Sequence, residues 1–158
     1  MTHLVIFGAR YLFLIVLFVA TRVFWKASAA GRRVLLLRGL IVLALGVLLA
    51  KGGGALWQDP RPFVVSHHRP LIAHAPDNGF PSDHALLTFG CAFLLLPFSC
   101  KAALVAIGLA LLVGISRVAC GLHWPVDIIA GMVFAAVANA AAFFLVRPRS
   151  VLTEKEAV

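Results

Sequence analysis

Charge is what this sequence is short of. Only 13% of its 158 residues are Asp, Glu, Lys or Arg, against 62% hydrophobic, and its mean hydropathy is +1.01. Soluble domains carry about 25% charged residues. A water-soluble globule is therefore excluded, and the chain reads as one integral-membrane domain. Acidic residues are scarcer still, six against fourteen Lys and Arg. The resulting net charge of +8 does not indicate nucleic acid. The basic residues come in ones and twos between apolar runs, with neither a stripe nor an aromatic ladder. Three cysteines, Cys91, Cys100 and Cys120, stand far apart and odd in number, which argues against a disulfide framework or a metal knuckle. No GK[ST] follows the glycines Gly52 to Gly54, so a nucleotide loop is not expected. The adjacent pair His67 and His68 offers poor geometry for one metal site, and no metal is expected. Arg10 interrupts the first apolar stretch and no small-residue cleavage site precedes Arg22, so that stretch reads as a retained span.

What is abundant is apolar sequence in lengths that cross a bilayer, which takes roughly 17 to 25 residues of helix. About five segments qualify or come close: Leu4 to Phe24, Val34 to Ala50, Ala85 to Phe98, Ala102 to Cys120 and Val126 to Val146. The expectation is an all-α, polytopic membrane helix bundle. The third segment is short, with a polar lead-in from Ser82 and Pro97 near its end. Between the second and third lies Gly52 to Asp83, rich in Gly and Pro and dotted with Asp59, Arg61, Arg69, Asp77 and three histidines. It reads as a loop outside the hydrocarbon, because unpaired backbone cannot face lipid. The glycine run reads as a flexible exit from the second span, and the tail from Arg147 onward as a frayed polar end. Alternating spans gather Arg22, Lys26, Arg32, Arg33, Lys101, Arg147, Arg149 and Lys155 on one side, which the positive-inside rule makes cytoplasmic. The long loop and the Arg117 to Asp127 link then share the other face.

That link, "SRVACGLHWPVD", concentrates polar chemistry where an apolar chain has little to spare. Either one helix runs through His123 and Asp127, placing them a turn apart on one face, or Pro125 starts the helix and leaves His123 in the link. In both cases the two side chains can touch. A carboxylate on one ring nitrogen fixes the tautomer and leaves the other nitrogen as nucleophile or base. Arg117 offers planar, bidentate donors to a phosphate. The plainer reading has His123 and Asp127 capping a span and Arg117 snorkelling to head groups. A second motif, "FPSDH" (Phe80 to His84), puts Ser82 or Asp83 near a helix start, with amide N–H groups suited to an anion and His84 as a proton donor. A third, "DPRPF" (Asp59 to Phe63), presents Arg61 stiffened by prolines. Taken alone, these two read better as an N-cap and a rigid loop; their coincidence with the first favours a site. Trp57 and Trp124 suit the membrane interface or the wall of a lipid pocket.

Together, Arg61-Pro62, Pro81-Ser82-Asp83-His84, and Ser116-Arg117 with His123 and Asp127 resemble the three motifs of the type 2 phosphatidic acid phosphatase superfamily. More narrowly, "RPF" followed by "HAPDNGFPSDHA" looks like the bacterial undecaprenyl-diphosphatase branch. The similarity covers roughly Lys51 to Gly131. Members carry a lysine seven positions before the arginine; here that position is Gly54, and Lys51 lies three residues earlier. Members usually have six spans, and about five are counted here.

The resemblance implies a phosphohistidine route. His123, held by Asp127, attacks phosphorus. Arg61, Arg117, Lys51 and the Ser82–Asp83 region bind the phosphate oxygens, and His84 protonates the leaving group. Cationic side chains take the place of a metal, so no cofactor is implied. The expected partner is a lipid diphosphate, undecaprenyl diphosphate first, at the outer face of a bacterial cytoplasmic membrane. Another lipid phosphate, or non-catalytic binding, are the alternatives.

Overall fold

A computed structural model describes residues 2–147. Arg149, Lys155 and most of the polar tail lie outside the described residues. Six helices follow one another: α1 (Thr2–Lys26), α2 (Ala29–Leu56), the short α3 (Pro62–Val65), α4 (Asp83–Leu95), α5 (Cys100–Ala119) and α6 (Pro125–Leu145). Four of them, α1, α2, α5 and α6, are long and apolar enough to span a bilayer. The fold is the expected all-α membrane bundle.

At 1.5 Å per residue the 13 residues of α4 reach only about 20 Å, short of the ~30 Å hydrocarbon thickness. This is tolerated because α4 is the central helix, touching α1, α2, α5 and α6. Along its length Ala85, Phe89, Ala92 and Leu95 are buried against those neighbours. Around it α1 lies on α5 and α2 on α6, whereas α1 and α2 barely meet. Start signals are written locally. Ser28, Ser82 and Ser99 cap α2, α4 and α5, each accepting from the amide three residues on. Pro125 opens α6 at its first position, where no amide donor is needed.

Small residues let these helices close up, as membrane packing requires where burial of apolar surface gives no advantage over lipid. Ala85, Ala110 and Ala135 surround Phe89 at the centre, and Ala92, Ala103 and Ala106 meet Val16, Leu35 and Leu95 further from the site. Large apolar residues such as Leu40, Leu48, Leu104 and Phe144 face outward. Arg38, buried within α2, bonds the Val146 carbonyl through Nε (3.1 Å) and Nη2 (2.9 Å) and lies 4.8 Å over the Phe143 ring. It satisfies a carbonyl that the end of α6 leaves without an intrahelical partner.

The glycine run departs from expectation. Gly52 to Gly54 do not form a flexible exit; they continue α2 to Leu56. The cause is contact with neighbours. A Cβ on Gly53 would stand 2.9 Å from the Phe134 ring of α6, and one on Gly54 would stand 3.1 Å from the Phe80 carbonyl oxygen. The missing side chains admit α6 and the loop against the helix, and that closeness outweighs glycine's poor helix propensity.

Gly131 tests the central packing. A Cβ there would lie 2.9 Å from both the Ala85 Cβ and the Ser82 carbonyl oxygen, and 3.0 Å from the Leu86 amide. Gly131→Val should destabilise the bundle by about 1–3 kcal/mol through overpacking. Gly108→Ala, with open space around its Cβ, should not. Thermal melts of the two variants in detergent check this: a lowered Tm is expected for the first and none for the second.

Candidate active site

All three motifs arrive at one end of the bundle. The end of α5 delivers Arg117, the link to α6 delivers His123, the first turn of α6 delivers Asp127, the first turn of α4 delivers His84, and the loop after α2 delivers Arg61. Helix α6 begins at Pro125, so His123 stands in the link rather than in the helix.

His123 is almost wholly buried and bonded on both sides of its ring. Nδ1 lies 3.0 Å from the Gly79 carbonyl oxygen and 3.3 Å from Asp127 Oδ2. Nε2 lies 3.3 Å from Arg61 Nη1 and 3.2 Å from Arg117 Nη2. A carbonyl oxygen only accepts and a guanidinium only donates. The network therefore puts the proton on Nδ1 and the lone pair on Nε2, directed at the two arginines. Burial holds His123 below the usual imidazole range; the Asp127 hydrogen bond opposes this, and the charges of Arg117 and Arg61 act with burial.

Asp127 is fully buried, and its Oδ2 also accepts from the Trp124 amide at 2.8 Å, which fixes the first turn of α6. Its other oxygen, Oδ1, is buried without a partner among the described residues.

The two guanidinium groups are held differently. Arg61 donates through Nε to Asp77 Oδ1 (2.7 Å), through Nη1 to the Leu122 carbonyl (2.9 Å), and through Nη2 to the Asn78 carbonyl (3.4 Å). Burial pulls the Asp77 carboxyl up, but the Arg61 hydrogen bond and charge outweigh it, leaving Asp77 below the usual carboxylate range. Among the described residues Arg117, besides His123, has only a 3.5 Å contact from Nη1 to the Ala9 carbonyl of α1, and its Nε is buried with no partner. An unmet buried donor costs about 1–3 kcal/mol, and more where the group is charged, so this corner is suited to an arriving anion.

His84 is half-buried, its ring edge-on to Phe13 of α1 at 5.3 Å, within Coulombic range of Arg117 and His123. Ser82 is completely buried. Its hydroxyl accepts from the Ala85 amide at 3.4 Å and its own amide donates to the Asp127 carbonyl at 3.1 Å, so it ties α4 to α6. That leaves the amides of Asp83 and His84 as the donors in this turn. The Asp83 side chain is exposed, over a groove between α2 and α4 lined by Gly46, Leu86 and Leu87. Lys51 is exposed near the end of α2 and makes no hydrogen bond or ion pair among the described residues. Of the expected set, His123, Asp127, Arg61 and Arg117 form one connected network, His84 stands beside it, and Lys51 stands apart.

Two residues outside the expected set organise this one. The Asn78 side chain donates to the Gly54 and Trp57 carbonyls (3.0 and 3.1 Å) and accepts from the Asp59 and Phe80 amides (2.8 and 3.1 Å), clamping the loop onto α2. Gly79 lets the loop backbone pass beside Asp127. A Cβ there would come within 3.2 Å of Asp127 Oδ2. The signal was the "DNG" in the loop, which reads locally only as a turn.

Comparison with known proteins gives the constellation its family. The family model described as PAP2 superfamily matches residues 34–150. The bacitracin transport permease protein BcrC of Bacillus licheniformis is 36% identical over 69% of this chain and 54% of its own length. The putative undecaprenyl-diphosphatase YbjG of Escherichia coli is 34% identical over 84% of this chain and 67% of its own. The chain thus spans about half to two thirds of these relatives. Among solved structures, the transmembrane PAP2-type phosphatidylglycerolphosphate phosphatase of Bacillus subtilis superposes with a TM-score of 0.55 at 23% identity, covering 92% of this chain and 74% of that one, which shows a shared fold. With a matched model over most of its length and a relative above 30% identity covering most of it, the chain belongs to the PAP2 superfamily.

Proposed function

We propose that this protein is a lipid phosphatase that removes the terminal phosphate of a polyprenyl diphosphate, undecaprenyl diphosphate first, through a phosphohistidine intermediate. One observation carries the reading: two guanidinium groups converge on the unprotonated Nε2 of a buried histidine whose other nitrogen is locked. A structural histidine has no need of two cations at its lone pair, whereas a nucleophile for phosphorus needs both that lone pair and positive charge on the phosphate oxygens.

The terminal phosphate draws Arg61 Nη1 and Arg117 Nη2 from the imidazole to its own oxygens, and Arg117 Nε gains its missing partner. The amides of Asp83 and His84 add neutral donors at the start of α4. Lys51, which stands apart from the network, would have to swing in from the end of α2 to add a third cation. His123 Nε2 attacks in line, and Asp127 stabilises the charge that develops on the ring. His84 protonates the departing lipid phosphate, then takes the proton of a water that attacks the phosphohistidine, and inorganic phosphate leaves. The whole chain forms one phosphatase domain, with residues 51–131 as its motif core.

A lipid diphosphate suits the location, because its tail stays in the bilayer while its head enters from the rim. The described basic residues of the far end, Arg22, Lys26, Arg32, Arg33, Lys101 and Arg147, support an orientation with that end in the cytoplasm of a bacterial cell and the site outside it. The name of the Escherichia coli relative supports the polyprenyl substrate. The name of the structural neighbour supports a second reading, a glycerophospholipid phosphate, and rates on a panel including phosphatidic acid and lipid A would rank the candidates.

His123→Ala should abolish phosphate release from undecaprenyl diphosphate by the purified protein; release at the wild-type rate would remove the mechanism. Asp127→Asn should lower kcat by about 10²- to 10⁴-fold through loss of the ring tautomer and of charge stabilisation. For pH, attack needs neutral His123. Burial favours that neutral form, so the acid limb of kcat/KM should lie below the ordinary imidazole value of 6.5. In kcat, which reports the substrate complex, an alkaline limb should follow loss of the His84 proton. Initial rates across pH check the bell, and a flat profile would rule out two histidines in these roles.

A further inference from the structure

Asp127 presents an anomaly that the mechanism does not use. Oδ2 is saturated by the Trp124 amide and His123, while Oδ1 is buried and has no partner among the described residues. An ionised carboxylate sealed from water with one bare oxygen is a costly arrangement. Across Gly79 from it lies Asp59, whose carboxyl interacts directly with that of Asp127. Two bare carboxylates this close repel, unless one keeps its proton and donates it to the other.

The backbone holds Asp59 in that place. Its amide donates to Asn78 Oδ1 at 2.8 Å, its carbonyl accepts from the Gly79 amide at 2.9 Å, and Pro60 follows. Gly79 is the spacer: a Cβ there would stand 3.2 Å from both the Asp59 carbonyl oxygen and Asp127 Oδ2. Arg61, two residues on, gives its hydrogen bonds to Asp77, Leu122, Asn78 and His123, and Asp59 forms no ion pair among the described residues. Among the described residues the titratable group bonded to the pair is His123 from the α5–α6 link, which Arg61 from the loop and Arg117 from α5 contact in turn, with Asp77 on Arg61. The cations among them turn toward His123 and Asp77.

We propose that Asp59 and Asp127 share one proton, the Asp59 carboxyl donating its O–H to Asp127 Oδ1, so that Asp59 is a positioning residue completing an Asp59–Asp127–His123 chain. Burial, together with the charge and hydrogen bond of Asp127, pushes the Asp59 carboxyl above the usual carboxylate range, as a shared proton requires. The bond satisfies the orphan oxygen and holds the Asp127 plane against Nδ1. The catalytic part of this inference rests on the phosphatase reading; the shared proton does not.

The chain has only six carboxyl side chains, which makes the test clean. Infrared spectra of the purified full-length protein at neutral pH should show a protonated-carboxyl C=O stretch in the wild type that vanishes in both Asp59→Asn and Asp127→Asn. Asp59→Ala should lower kcat about 10- to 100-fold with little change in KM, as loss of an outer partner of a catalytic group does. Asp59→Asn should recover most of that loss, because its amide N–H donates to the same oxygen. Absence of the band from the wild type, or its survival in Asp59→Asn, would overturn the proposal. So would wild-type kcat and pH profile in Asp59→Ala. The infrared arm needs no turnover, so a protein inactive on every lipid phosphate would sink the phosphatase reading while the band still decided this one.

Discussion

Everything at the site depends on the proton of His123 being held on Nδ1. The Gly79 carbonyl and Asp127 both require a donor there, and once they have one, Nε2 can only be a lone pair. The two arginines then have something to point at. Were the proton on Nε2, two guanidinium groups would face an N–H, an arrangement without a favourable contact. The tautomer is therefore built into the fold by the backbone of the loop and by the start of α6, well before any ligand arrives.

That constraint runs back into the bundle. Gly79 reaches His123 only because the loop is drawn onto the end of α2 by Asn78, and α2 accepts it only because Gly53 and Gly54 carry no side chains. Asp127 stands where it does because α6 starts at Pro125 and is bound to α4 through the Ser82 amide. Helix α4 meets every other long helix, so the pieces of the site are referred to one common post. Arg38 fixes the opposite end of α6 by bonding the Val146 carbonyl, a second tie between α6 and α2.

The sequence was most readable where composition and chemistry disagree. In a chain this poor in charge, the intervals between Arg117, His123 and Asp127 stood out at once, and the apolar runs were long enough to be counted as spans. Less readable was anything that depends on what lies opposite. Gly52 to Gly54 looked like a break because glycine disfavours helix locally; the ring of Phe134, eighty residues away, reverses that preference. Asn78 and Gly79 looked like an ordinary turn, since nothing local reveals three hydrogen bonds to distant backbone or a carbonyl aimed at His123. Lys51 was paired with the motif lysine by spacing alone, and spacing does not say which way a flexible side chain leaves a helix end. Ser82 was expected near a helix start beside the phosphate; it does cap α4, but it is buried there as a tie between two helices.

The unequal tethering of the two arginines gives the cradle a fixed jaw and a compliant one. Arg61 is bolted to the protein at Asp77, Leu122 and Asn78, whereas Arg117 has a single long contact to α1 and a nitrogen with nothing to hold. In the proposed reaction, an oxyanion that flattens and inverts about its central atom would be followed by the second without disturbing the register set by the first. Departure of the anion would return the loose guanidinium to the imidazole, so the empty site re-arms through side-chain motion alone while the helices stay still.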